Sequence, residues 1–222
     1  MKASGAHHMS LDLELFETYE SGKTKDTLRI YSWDPPCISL GYSQKLETEI
    51  DIEKAEKLGW DVVKRPTGGG IVFHNEAEIT YSLITGIARL PAGLIPSYKK
   101  ISGAVILGLS KIGIWAEITR KSKVENRKSK IGLCFSYPAE YEIVVDGRKI
   151  VGSAQKRGRR ALLQQGSIFV RPTDHRLFSV LKKPHDPENS ISVEEVLGRK
   201  VGFDELSYAI SEGFREGLGI EI

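Results

Sequence analysis

The stretch Lys64-Arg65-Pro66-Thr67-Gly68-Gly69-Gly70-Ile71-Val72-Phe73-His74 constrains the fold more than any other in this 222-residue chain. Val62 and Val63 lead into it as a strand would. Pro66 lacks a backbone donor and fixes φ, so a regular strand ends there. Three bare Cα positions follow, able to lie flat against a ligand with their N–H groups exposed. Ile71-Val72-Phe73 then restarts an apolar run. The pattern predicts strand, glycine turn, strand. It is neither a Gly-x-x-x-x-Gly-Lys-Ser/Thr phosphate loop nor a Gly-x-Gly-x-x-Gly dinucleotide turn. On residue chemistry alone, a bulged hairpin competes with a ligand-binding turn.

The rest of the chain alternates between strand and helix signals. Leu11 to Glu20, Ile50 to Leu58, Pro96 to Ile112, Arg176 to Leu181, Val193 to Leu197 and Phe203 to Gly217 carry helical spacing. Thr27 to Trp33, Cys37 to Tyr42, Glu78 to Ile84, Trp115 to Ile118, Tyr141 to Val145, Lys149 to Gln155 and Ala161 to Val170 read as strands. Asp146-Gly147 marks a hairpin. These elements predict an α+β fold with a mixed, largely antiparallel central sheet flanked by helices. Residues 1–10 are expected to be a disordered segment or an expression remnant, and 11–222 a single catalytic domain with a helical end.

Several function classes fall away on composition. Net charge is only +3, and no element is suited to reading bases, so nucleic acid is not expected. No apolar run reaches membrane-span length, and the first nine residues lack the apolar core of a signal peptide. Two cysteines 97 positions apart, Cys37 and Cys134, suggest no disulfide framework. A reducing, cytoplasmic location is the expectation. No Cys-x-x-Cys or paired histidine spacing suggests a metal site. Six basic residues cluster between Arg120 and Lys130, and Lys156, Arg157, Arg159 and Arg160 form a second group. Such runs are either solvated loops or docking sites for acidic proteins.

Arg-x-x-Gly-Gly-Gly-x-Val-x-His followed by Glu78-Ile79-Thr80-Tyr81-Ser82 resembles the signature of the lipoate–protein ligase A and octanoyltransferase family, which shares its catalytic fold with biotin–protein ligases. The resemblance extends from about Leu11 to about Val170. It implies an acyl-binding site at Arg65, Gly68, Gly69, Gly70 and His74. It also gives Trp33 to Gln44 a place along the acyl pocket, although Trp33 and Tyr42 read equally well as core aromatics. Arg148-Lys149-Ile150-Val151-Gly152-Ser153-Ala154-Gln155 resembles the family's second motif. That makes Lys149 a catalytic candidate, with Gly152, Ser153 and Ala154 binding substrate. A lysine on an apolar strand otherwise snorkels to water.

Cys134, Phe135, Pro138 and Tyr141 resemble the cysteine-dependent octanoyltransferases of the lipoate ligase-like type. There the cysteine seven residues before the tyrosine carries the acyl group. A lone cysteine is otherwise a small buried hydrophobe. The resemblance implies transfer of an octanoyl (or lipoyl) group from acyl carrier protein, through Cys134, to a lysine of a lipoyl domain of 2-oxoacid dehydrogenases or of the glycine cleavage H protein, with no cofactor. The alternative is an ATP-dependent lipoate–protein ligase using ATP and Mg. Biotin ligation ranks below both, because the biotin enzymes' glycine signature is absent. A non-catalytic acyl- or carrier-binding module would use the same scaffold, but the intact Lys149 motif argues against it.

Overall fold

The computed structural model describes residues 1–119, 141–172, 175–183 and 189–220. In chain order the elements are β1 (Lys2–Ala3), α1 (Gly5–Glu20), β2 (Thr27–Trp33), β3 (Cys37–Leu40), α2 (Leu46–Glu49), α3 (Ile52–Lys57), β4 (Asp61–Lys64), β5 (Val72–His74) and β6 (Ile79–Gly86). There follow α4 (Leu94–Ser110), β7 (Glu117–Ile118), β8 (Ile143–Val145), β9 (Arg148–Arg157), β10 (Ala161–Ile168), α5 (Val193–Leu197) and α6 (Phe203–Leu218). The expected α+β class is observed, and β2 has the expected bounds. The turn of helix expected at Arg176 to Leu181 is a 3-10 helix, His175–Val180.

Two sheets form. The larger has strand order β1-β2-β6-β10-β9-β8-β7, and the smaller β4-β3-β5. Neighbours in the larger sheet run antiparallel apart from the β1–β2 pair. Helices α4 and α6 cover one face, where Ile101, Val105, Leu109, Leu206, Ile210 and Phe214 pack against Tyr81, Leu83, Val151 and Leu162. Complete burial of Ile210 or Phe214 contributes roughly 2–3 kcal/mol. On α1, Phe16 packs against Ile84, Ala161 and Leu163. The smaller sheet has its own core of Ile38, Leu40, Ile50, Ile71 and Phe73. No helix among the described residues is long and apolar enough to cross a membrane.

Residues 1–10, expected to be a disordered segment or an expression remnant, supply β1 and the first turns of α1 in this structure. Ser4 caps the helix by accepting from the His7 N–H, and His8 and Met9 are buried. The first-turn side chains thus contribute to packing, which the helical spacing from Leu11 onward did not reveal. The glycine stretch joins two strands, β4 and β5, as expected, and the competing hairpin reading does not hold. β3 pairs in parallel with β4 and antiparallel with β5, so it lies between them. The glycines therefore carry the chain across the end of β3.

Candidate active site

That crossing is tight, and it explains the glycines. A Cβ on Gly41, just past β3, would sit 2.0 Å from the Gly69 carbonyl oxygen. Gly69 has φ +91°, a conformation that favours glycine. Arg65 fixes the loop from beneath. Its Nη1 donates to the Ser39 carbonyl and to Ser39 Oγ, both at 3.0 Å. Its Nη2 donates to the carbonyls of Gly68 at 2.8 Å and Gly70 at 2.6 Å, and Nε reaches Gly68 at 3.2 Å. One planar guanidinium thus satisfies two carbonyls of a turn that has no ladder of its own and ties them to a third in β3.

Behind Arg65 runs a buried polar chain. Ser39 Oγ lies 2.7 Å from His74 Nε2, and His74 Nδ1 contacts Glu78 Oε1. Thr80 Oγ1 donates to Glu78 at 3.1 Å and accepts from the Trp33 indole at 3.0 Å. Trp33 stacks on His74, with ring centroids 4.0 Å apart. With Glu78 accepting at Nδ1, His74 carries its proton there and accepts the Ser39 hydroxyl at Nε2. Ser39 is then oriented to accept from Arg65. His74 is a positioning group for the loop in this geometry. Glu78, four residues after His74, was visible in the sequence as a neighbour of the motif but was given no role. Ser39 belongs to the Trp33 to Gln44 stretch that the resemblance placed along the acyl pocket, but without a role of its own.

These residues border a small cleft of about 30 Å³, lined by Ser39, Arg65, Val72, His74, residues 152–154 and residues 165–167. The cleft brings together Arg65, His74, Gly152, Ser153 and Ala154, and the glycine loop abuts it, since a Cβ on Gly69 would lie 3.8 Å from Ala154 Cβ. Ser153 lines the cleft, but its hydroxyl is 2.8 Å from Tyr81 Oη. Gly166 makes room for that pair: a Cβ there would lie 2.1 Å from the Tyr81 ring. Burial raises the Tyr81 phenol to about 12. A second buried chain ties the loop to α1. Thr67 donates to Gln165, Gln165 donates to Asp12 at 2.7 Å, and Asp12 pairs with Arg29.

Lys149 does not snorkel. It is 1% exposed, and its Nζ is 2.8 Å from Glu142 Oε1. A bulge decides its direction. Ile143 is opposite Val151, yet Val144 is opposite Lys149, so Ile150 is an extra residue in β9. Ile143 and Val151 point into the core beneath α4 and α6. The bulge shifts the alternation by one residue. Lys149 therefore pairs with Val144, on the face opposite Ile143 and Val151, and it is not among the residues that line the cleft. An unbroken strand would have directed it into the helix-side core.

Of the two cysteines, Cys37 is completely buried in β3, and burial followed by the negative charges of Asp61 and Glu78 pushes its thiol well up. It is a packing residue. Cys134, Phe135 and Pro138 lie outside the described residues, as does the basic run Arg120 to Lys130, so the expected shared cavity of Cys134 and Lys149 is not part of this geometry.

Residues 4–215 match the family model of the lipoyl protein ligase A/B catalytic domain. The chain belongs to that family. It is 35% identical over 236 residues to octanoyltransferase LipM of Kyrpidia tusciae, covering 100% of this chain and 86% of that protein. It is 37% identical over 229 residues to octanoyltransferase LipM of Carboxydothermus hydrogenoformans, covering 98% and 84%. Among solved structures, a lipoate-protein ligase A bound with ATP matches with a TM-score of 0.78 and 25% identity, covering 100% of this chain and 85% of that one. A putative lipoate protein ligase from T. acidophilum with bound lipoic acid matches with a TM-score of 0.76 and 25% identity, covering the same shares. The fold is thus the catalytic fold of this family, as its glycine and lysine motifs implied.

Proposed function

We propose that this protein is an octanoyltransferase of protein lipoylation, moving an octanoyl group from acyl carrier protein to a lysine of a lipoyl domain through a thioester on Cys134. The observation that carries the reading is the likeness to LipM octanoyltransferases along nearly the whole chain, at 35–37% identity. The cleft adds support, because it brings Gly152, Ser153 and Ala154 of the second motif beside Arg65 and His74 of the first.

In this scheme the Cys134 thiolate attacks the octanoyl thioester carbonyl, and the carrier's thiolate leaves. The neutral amine of the acceptor lysine then attacks the enzyme thioester. It forms the amide, loses a proton and returns Cys134 to the thiolate. Both steps exchange an already activated acyl group, so ATP has no role in them. Cys37, with its thiol pushed up by burial, is a poor candidate for the carrier. Lys149, paired with Glu142, presents donors only, and these suit the thiolate and the carbonyl oxygen as charge develops. Arg65 and His74 hold the glycine loop against the acyl chain. Thiolate chemistry of this kind belongs in a reducing cytoplasm.

The reading is tested by incubating the protein with octanoyl–acyl carrier protein and a lipoyl domain, without ATP. The expected product is the octanoylated domain, identified by mass. Product formed only from free acid with ATP and Mg would replace the transferase with a ligase.

A further inference from the structure

Just outside the cleft, Tyr42 is 66% exposed, although it directly follows the close contact of Gly41 with the glycine loop. Its N–H donates to the Thr67 carbonyl at 2.8 Å, so its backbone is part of the rim. Two ammonium groups flank its ring: Lys64 Nζ at 5.6 Å and Lys156 Nζ at 5.7 Å from the centroid. Neither lysine pairs with a carboxylate among the described residues. Lys156 Nζ also lies 5.4 Å from the Phe16 centroid. Two cations beside one exposed aromatic ring, without a neutralising acid, repel each other and attract anions.

The other members of this basic group are differently engaged. Arg157 donates to Ser97 at 2.8 Å. At the turn of Arg159 and Arg160, the Glu20 carboxylate accepts three backbone N–H groups and places a negative charge beside both arginines. Lys156 alone among them shares the β9 face of Gly152 and Ala154. It lies two residues past Ala154, about 7 Å along the strand.

We propose that Tyr42, Lys64 and Lys156 form the docking rim for the acceptor protein, a compact acidic domain whose target lysine is flanked by carboxylates. The inference rests on the transferase reading for the identity of that acceptor. Tether length selects acceptor over donor. A lysine stem of four methylenes reaches only about 6 Å. A domain delivering such a lysine must touch the rim itself. An acyl group on a long flexible arm carries no such requirement. Carboxylates meeting Lys64 and Lys156 place the acceptor lysine over Ala154, beside the glycine loop. The tyrosine ring adds a flat amphipathic contact between the two charges.

The test measures binding of an unmodified lipoyl domain to the full chain by titration at low and at moderate salt. It compares the unsubstituted protein with Lys64→Glu/Lys156→Glu and with Tyr42→Ala. The double variant is expected to bind about tenfold more weakly at low salt and to lose most of the salt dependence. Tyr42→Ala is expected to bind a few-fold more weakly with the salt dependence retained. Loading of octanoyl from acyl carrier protein should stay within about twofold in the double variant. Unchanged acceptor affinity and salt slope in the double variant overturns the proposal. So does a loss confined to octanoyl loading, which assigns the rim to the donor. If the unsubstituted protein transfers no octanoyl yet its lipoyl-domain affinity still collapses on charge reversal, the docking rim stands and the transferase reading fails.

Discussion

Replacing Lys149 by methionine separates an ion pair that only holds the fold from one that also acts in catalysis. Lys149 is 1% exposed and its partner Glu142 is 8% exposed, with 2.8 Å between Nζ and Oε1. Methionine fills much of the lysine's volume, so the main effect is electrostatic. Glu142 keeps the Tyr98 hydroxyl at 3.4 Å, a weak partner for a buried carboxylate. Breaking a buried pair from one side costs about 3–5 kcal/mol. The partial exposure of Glu142 places this case near the lower end. Lys149→Met/Glu142→Leu removes both charges, and stability should return to within about 1 kcal/mol of the unsubstituted protein. Octanoyl transfer should not return. Loss of a positioned charged donor lowers the rate by roughly a hundredfold or more in both variants. Urea unfolding gives the stabilities, and mass-resolved transfer to a lipoyl domain gives the rates. A double variant that recovers both stability and transfer would refute a catalytic Lys149. A single variant as stable as the original would refute the argument from burial.

Two further outcomes follow from the packing. Arg65→Lys swaps a planar fork for a point charge that cannot reach Ser39, Gly68 and Gly70 together. The loss of about two charge-assisted bonds should destabilise the protein by roughly 3 kcal/mol and raise KM for the octanoyl donor more than it lowers kcat; a KM at its original value would show that the loop needs no clamp. His8 donates through Nε2 to the Ser32 carbonyl and accepts from Arg29 at Nδ1, so the fold requires the neutral ring, and burial lowers its pKa to about 4. The unfolded chain takes up this proton near pH 6.5, so the stabilisation is complete above that pH and is lost between 6.5 and 4, on the order of 3 kcal/mol. The raised carboxyl of Asp12, which favours the protonated fold in acid, offsets part of this. His8→Gln should flatten the fall in urea-unfolding stability over that range, and an unchanged slope would contradict the assignment.

Local chemistry made much of the fold legible. Alternation and β-branching located β2 and β6, and Asp146-Gly147 located the β8–β9 turn, where both residues adopt positive φ. The glycine run announced a backbone held close to something, and Gly41 and Arg65 show what holds it. Long-range pairing was not legible. Nothing between Val62 and Phe73 says that β3 will insert between β4 and β5, because its partners lie more than twenty residues away. Lys149 shows the same limit at the site. Its motif was visible, but its direction depends on an extra residue at Ile150, which exists only relative to the register of β8. The Ser39–His74–Glu78 chain was half visible, in the i,i+4 spacing of its last two members.

The central claim is a thioester at Cys134, and the intact mass of the protein after incubation with octanoyl–acyl carrier protein, without ATP, tests it most directly. The account predicts an added octanoyl group that hydroxylamine removes and that Cys134→Ala never acquires. An adduct that persists in Cys134→Ala, or no adduct in a protein that makes octanoyl-adenylate from free acid, ATP and Mg, would contradict it.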